Sequence, residues 1–196
     1  MFARRTATRI KKGSVQKKNR HTRTPNYWNT YQDIIQLDIE NPGKGYKHFL
    51  KKRDIKQFLD ILPNREEIDI KLDAVLLARG SYYTDGWYHN GVIGICAWEK
   101  EMTKEYSHGY FKAHKNIFDK LNVKYKINGD KIICDFTENQ IKAYLLLHIF
   151  LHELGHHHDR INTKSGKIAR GENYAESYAF KYEEIIWNKY FEYFSL

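Results

Sequence analysis

The residues best suited to chemistry stand together at His152-Glu153-Leu154-Gly155-His156. Two histidines four positions apart project from the same side of an α-helix, so both imidazoles can reach one Zn²⁺ ion. Glu153 then lies beside the metal's open coordination position, where a carboxylate takes the proton of an attacking water. A catalytic zinc needs a third protein ligand. Glu172 and Glu176, again four apart, share a face of the next helix, and the small Ala175 and Ala179 let that face approach closely. Glu172 is the expected ligand, with Glu176 holding the other ring nitrogen of His152 or His156; the reverse assignment is the alternative.

The elements that must position these groups follow from periodicity. Thr137 with Gln140 three residues later is a capping box and opens a helix running to about Arg160. That helix is apolar on most sides and so must be buried. A polar loop, Asn162 to Gly171, leads to a last helix from Glu172 to near Phe194, with Ala175, Tyr178, Ala179, Tyr182, Ile185 and Ile186 along one face. Upstream, Tyr46 to Leu62 reads as an amphipathic helix closed by Pro63, and Tyr106 to Leu121 as a short helix with its preceding loop. Strands are expected at Leu72 to Leu77, Gly91 to Trp98, Lys124 to Ile127 and Lys131 to Phe136, the last two joined by the hairpin dipeptide Asn128-Gly129. Strands followed by two long helices predict an α+β fold: one domain over residues 26–196, with a small antiparallel or mixed sheet packed on the buried HExxH helix and the C-terminal helix.

The pair of stretches HELGH (152–156) and Glu172-Asn-Tyr-Ala175-Glu176-Ser-Tyr-Ala179 resembles the Glu-zincin metallopeptidases, the broad group that holds thermolysin and the small phage-repressor-cleaving enzymes. It is more similar still to a poorly characterised bacterial zincin-like set carrying HELGHHxD and RGExxAExxA, here His152 to Asp159 and Arg170 to Ala179. The resemblance covers about 45 C-terminal residues. It implies a zincin-like fold, a zinc cofactor, a hydrolase acting on a protein or peptide, the ligands His152, His156 and Glu172, and support from Glu176. The chain departs from the repressor-cleaving type in having Glu176 where a shorter Asn or Asp is usual, and it has no recognisable helix-turn-helix domain. In this chemistry a Tyr or His across the zinc stabilises the oxyanion, and Tyr178, Tyr174, His157 and Tyr83 are the candidates. Substrate is expected to add as a strand to a sheet edge beside the zinc helix, with Gly91 to Trp98 as that edge. His148 lies too far along the helix from His156 to share its ion and reads as a core or supporting histidine, while Asp159 is placed to orient a ring or cap Arg160.

At 196 residues with 41% hydrophobic and 15% aromatic side chains, the chain can close a core of ordinary domain size. No stretch approaches the roughly 18 to 20 apolar residues of a bilayer span. Together with the absence of a secretory leader and the two isolated cysteines, Cys96 and Cys134, this predicts a soluble cytoplasmic protein with reduced thiols and no membrane partner. The net charge of +9 is unevenly spread. Nine bases (Arg4, Arg5, Arg9, Lys11, Lys12, Lys17, Lys18, Arg20 and Arg23) precede the first acid, Asp33; removing nine from 33 leaves 24 bases against 24 acids. Residues 1–25, almost free of large apolar groups, are expected to be a disordered arm, read as a solvated segment with no dedicated partner, as an arm that attracts nucleic acid or the ribosome by counterion release, or as an organelle transit peptide. Tyr27, Trp28 and Tyr31 mark where it docks on the domain. Two functions follow as expectations: a zinc metallopeptidase of narrow specificity recruited to nucleic acid by the arm, or a catalytically silent zincin-like module whose arm does the binding. Neither cysteine lies near a histidine in any motif, and no serine-nucleophile or phosphate-binding glycine loop occurs.

Overall fold

The computed structural model describes residues 26–164 and 170–194, and the backbone of 10–11 and 14–15. Of residues 1–25, the expected arm, only β1 (Ile10–Lys11) and β2 (Ser14–Val15), paired antiparallel, are described; its nine bases otherwise lie outside the described residues. The chain is α+β. Strand β3 (Gln36–Ile39) is followed by β4 (Tyr46–Lys47), helices α1 (Lys52–Ile61) and α2 (Arg65–Asp69), and strands β5 (Ala74–Ala78), β6 (Gly86–His89), β7 (Val92–Cys96), β8 (Trp98–Glu99) and β9 (Thr103–Ser107). Helices α3 (His108–Ala113) and α4 (Lys115–Lys120) come next, then the hairpin β10 (Lys124–Asn128) and β11 (Lys131–Asp135). The C-terminal part is α5 (Glu138–Tyr144), one π-helical segment (Leu145–Phe150), α6 (Leu151–Asn162) and α7 (Gly171–Phe194).

The main sheet is mixed, in the order β3-β5-β7-β6, with β3, β5 and β7 parallel and β6 antiparallel at the end. Side chains alternate across it. Val75, Leu77, Ile93 and Ile95 enter the large core under the helices, while Ala74, Leu76, Ala78, Val92 and Cys96 form a smaller core on the other face with Tyr27 and Trp87. Both cysteines are free, as the sequence predicts, and both are buried. A second sheet, β10-β11-β9, is antiparallel. Its hairpin forms where expected, but Asn128 pairs with Lys131, so the two-residue turn is Gly129-Asp130, with Gly129 at φ 61°.

Three expectations about elements need correcting. The helix read from Tyr46 begins only at Lys52, because Tyr46 and Lys47 pair with Glu99 and Trp98 and the Tyr46 ring lies over Gly80, where a Cβ would come within 2.1 Å of it. Asp54 then accepts from the backbone N–H of Lys51 at 2.8 Å and caps the shortened helix. Ala113 does not lead smoothly into Lys115: His114, at φ −102° and ψ 9°, breaks the segment into two helices, and Tyr106 and Ser107, expected in the preceding loop, end the strand Thr103–Ser107. Finally, Gly91 to Trp98 is no edge. Its β7 is hydrogen-bonded to β5 and β6 on either side, and β6 is the end strand.

The helix carrying HExxH starts as the sequence indicates. Thr137 Oγ1 accepts from Gln140 N (3.3 Å) and Gln140 Oε1 from Thr137 N (2.8 Å). Its π-helical segment was not foreseeable from periodicity, since every residue of Leu145–Phe150 is buried and no polar face marks the change of pitch. Phe150 meets Phe58 of α1 edge-on at 5.5 Å, and Phe58 meets Tyr190 of α7 at 6.2 Å. Burying aromatic side chains of this size stabilises by about 1.5 to 3 kcal/mol each, which locks the helix between α1 and α7. Of the face expected for α7, Ile185 is exposed and the rest is buried, with Glu183 buried beside it. Among the described residues no helix is long and apolar enough to cross a membrane.

Candidate metal centre

Two helices and one strand build the site. On α6, His152 and His156 point towards α7, and Glu172 answers from its first turn: Glu172 Oε2 lies 3.1 Å from His152 Nε2, and Oε1 lies 3.4 Å from His156 Nε2. One donor atom from each residue falls within 4.8 Å of the others, a set able to hold a metal ion. The tetrahedral edge for bonds of about 2.0 Å is about 3.3 Å. The two separations, each made by a different oxygen of Glu172, are both close to it.

What brings Glu172 there is local. The chain enters α7 at Arg170, whose backbone N–H and Nε donate to the fully buried Asp159 carboxylate at 2.8 and 2.7 Å. Thr163 Oγ1 donates to it as well, at 3.1 Å. Asp159 therefore ties the end of α6 to the start of α7. Gly155 sets the helix separation. A Cβ there would lie 2.7 Å from Ala175 Cα, so the glycine of HELGH is required by backbone contact with α7.

Glu176 sits one turn further along α7 and accepts from His152 Nδ1 at 2.9 Å. His152 thus has a carboxylate at each ring nitrogen. With the proton on Nδ1 committed to Glu176, the Nε2 lone pair faces Glu172, an arrangement that only a cation or a second proton between them makes favourable. Burial works against charging His152, but the hydrogen bond to Glu176 and the neighbouring carboxylates outweigh it and raise its pKa. The adjacent His114 ring and the hydrogen bond from His152 hold the Glu176 carboxyl well below its usual range in spite of burial. His156 shifts the other way, lowered by burial and by His152, and its Nδ1 is buried with no hydrogen-bond partner among the described residues.

A cavity of about 550 Å³ opens over this cluster. Glu153 reaches into it, and burial pushes its carboxyl up to about 7. The wall opposite is the end strand β6: a Cβ on Gly86 would lie 3.0 Å from Glu153 Oε1 and 2.6 Å from Ile149 Cγ2, so glycine at that position makes room for the acid. Residues Tyr82 to Gly86 line one side of the cavity and Lys104 to Ser107 of β9 another, with Lys104 paired to Asp85.

No family model matches this chain, and no curated protein or solved structure matches it.

The structure disperses the expected oxyanion stabilisers. Tyr174 donates or accepts at His158 Nδ1 (2.7 Å), Tyr178 stacks on Tyr182 with ring centroids 4.3 Å apart, and His157 is held by Tyr88 Oη (3.1 Å) and the Ile70 carbonyl (3.0 Å). None of the three lines the cavity, whereas Tyr83 does. Burial lowers His157 to about 4, which suits a neutral ring. The residues that sequence reasoning passed over are Gly86, Asp85, Lys104 and His114, all on the cavity wall. None stands at a motif spacing from the histidines, so only the folded chain brings them near.

Proposed function

We propose that this chain is a zinc-dependent metallopeptidase of zincin-like architecture. The observation that carries the reading is the convergence of His152, His156 and Glu172 on one point with the buried Glu153 carboxyl in the adjoining cavity. Zn²⁺ is the ion that suits two imidazoles and one carboxylate, and bound there it would acidify a coordinated water and polarise a carbonyl. His152 and His156 would supply Nε2 donors, Glu172 the third, and Glu176 would hold the His152 ring through Nδ1. Glu153, with its raised pKa, is suited to accept a proton near neutrality and return it to the leaving amine.

A peptide fits this cavity better than a compact metabolite does. The end strands of two sheets, β6 and β9, both contribute to its walls, and an extended chain laid between them would find backbone groups able to pair with it. The strand that would receive substrate is β6, in place of the expected Gly91 to Trp98. The exposed rings of Tyr82 and Tyr83 stand at the cavity and offer apolar contact to substrate side chains.

Metal analysis of the wild type beside His152→Ala, Glu172→Ala and Glu176→Ala tests the centre. Glu153→Gln is expected to keep the zinc and to abolish hydrolysis of a peptide library. Retained hydrolysis in that variant sinks the mechanism. A zinc content undiminished from wild type in both His152→Ala and Glu172→Ala sinks the site.

A further inference from the structure

Glu176 has a second oxygen, and it faces a second pair of histidines. Oε2 is engaged by His152, but Oε1 is buried, lies 3.0 Å from His114 Nε2 and 3.9 Å from His148 Nε2, and accepts no hydrogen bond among the described residues. The 3.0 Å contact with His114 Nε2 makes no N–H···O bond of good geometry, and a cation shared by both atoms would suit such a separation. His114 Nδ1 is 2.7 Å from the Tyr110 carbonyl, so the proton of a neutral ring is used there and Nε2 presents its lone pair to the carboxylate. His148 is 2% exposed, and its ring meets that of His114 at 4.5 Å, nearly perpendicular.

Each histidine is delivered by a departure from regular helix. His114 occupies the break between α3 and α4, in a sparsely populated region of backbone space, and His148 lies inside the π-helical segment. Both line the same cavity as Glu153 and Glu172. We infer that His114 Nε2, His148 Nε2 and Glu176 Oε1 form a second binding site for Zn²⁺, joined to the first through the two oxygens of one carboxylate. One donor atom from each of the three falls within 4.8 Å of the others, the criterion the first set also meets. Two nitrogen donors with one oxygen favour Zn²⁺ and disfavour Ca²⁺ and Mg²⁺, which take oxygen.

The site does not rest on the hydrolytic reading, and zinc stoichiometry separates the two. Metal-free full-length protein is dialysed to equilibrium against Zn²⁺ and assayed for metal by mass spectrometry, with circular dichroism as a check of folding. The wild type is expected to hold two equivalents, His114→Ala one, and Glu172→Ala one. Glu176→Gln is expected to lose the second equivalent and to weaken the first by about 10- to 100-fold, since it removes both the second ligand and the support of His152. One equivalent in the wild type, unchanged in His114→Ala and lost in Glu172→Ala, overturns the second site and leaves the first intact. One equivalent lost in His114→Ala and kept in Glu172→Ala leaves the second site standing and removes the proposed catalytic one. Because the wild-type count and Glu172→Ala do not depend on His114→Ala folding, a single wild-type equivalent lost in Glu172→Ala is decisive even where His114→Ala is unstable.

Discussion

At the scale of the residue, the part of the site legible in the sequence is the part encoded by helical spacing. His152, Glu153 and His156 are fixed relative to one another by the α-helix itself, and so are Glu172 and Glu176, so their grouping needed no knowledge of the rest of the chain. Gly86 and His114 could not be found that way, because each reaches the cavity from a strand or helix whose placement is tertiary. Gly86 makes the sharper test. Gly86→Ala would force a methyl against Ile149 and Glu153 without touching His152, His156 or Glu172. It is expected to leave the zinc content unchanged while lowering kcat/KM by about tenfold or more, the effect of displacing a reacting group by a fraction of an ångström. Wild-type turnover in Gly86→Ala would show that the Glu153 position tolerates displacement.

At the scale of the element, the sequence identified the capping box and both C-terminal helices because local hydrogen bonds and apolar periodicity specify them. It missed β3, β6 and β9, which are short strands defined by their neighbours; in β6 only one of four residues is fully buried. The α6–α7 pair is where packing and chemistry are most tightly joined. Gly155→Ala would meet the Ala175 backbone, and overpacking of this kind costs about 1 to 3 kcal/mol. A lower denaturation midpoint and weaker zinc binding are expected together, and a variant with wild-type values for both would refute the close approach. The same helix carries a second strained group. Glu183 is buried with Oε1 2.8 Å from Lys120 Nζ and Oε2 unpartnered among the described residues, and burial raises its pKa above the ordinary value of 4.5 in spite of the lysine. An acid whose folded pKa is raised favours the folded state least when ionised. Below about 4.5 both states hold the proton and no penalty exists; as pH rises through the folded value, the penalty appears in full. Wild type should therefore lose stability relative to Glu183→Gln between pH 4 and pH 8, and thermal melts showing a constant difference across that range would contradict the assignment.

At the scale of the whole molecule, the charge arithmetic sets the basic residues apart from a balanced remainder. Deleting residues 1–25 is expected to remove nucleic-acid binding, and the intact chain should lose affinity linearly in the logarithm of salt concentration, read by fluorescence anisotropy with a labelled duplex. Tight binding that survives the deletion would place the contact elsewhere. Of Tyr27, Trp28 and Tyr31, expected to mark where the arm docks, Tyr27 Oη donates to Asp38 at 2.8 Å and Trp28 stacks on Trp87 with centroids 6.1 Å apart, both Trp28 and Tyr31 being exposed; the arm's own side chains lie outside the described residues. Trp87 belongs to the sheet face turned away from the helices, its neighbours Gly86 and Tyr88 to the face that carries the chemistry. On the proposed reading, a polyanion bound upstream of Asn26 would be joined to the domain on the back of this sheet. The packing of Tyr27 and Trp28 and the carboxyl of Glu153 thus lie on opposite sides of one thin wall.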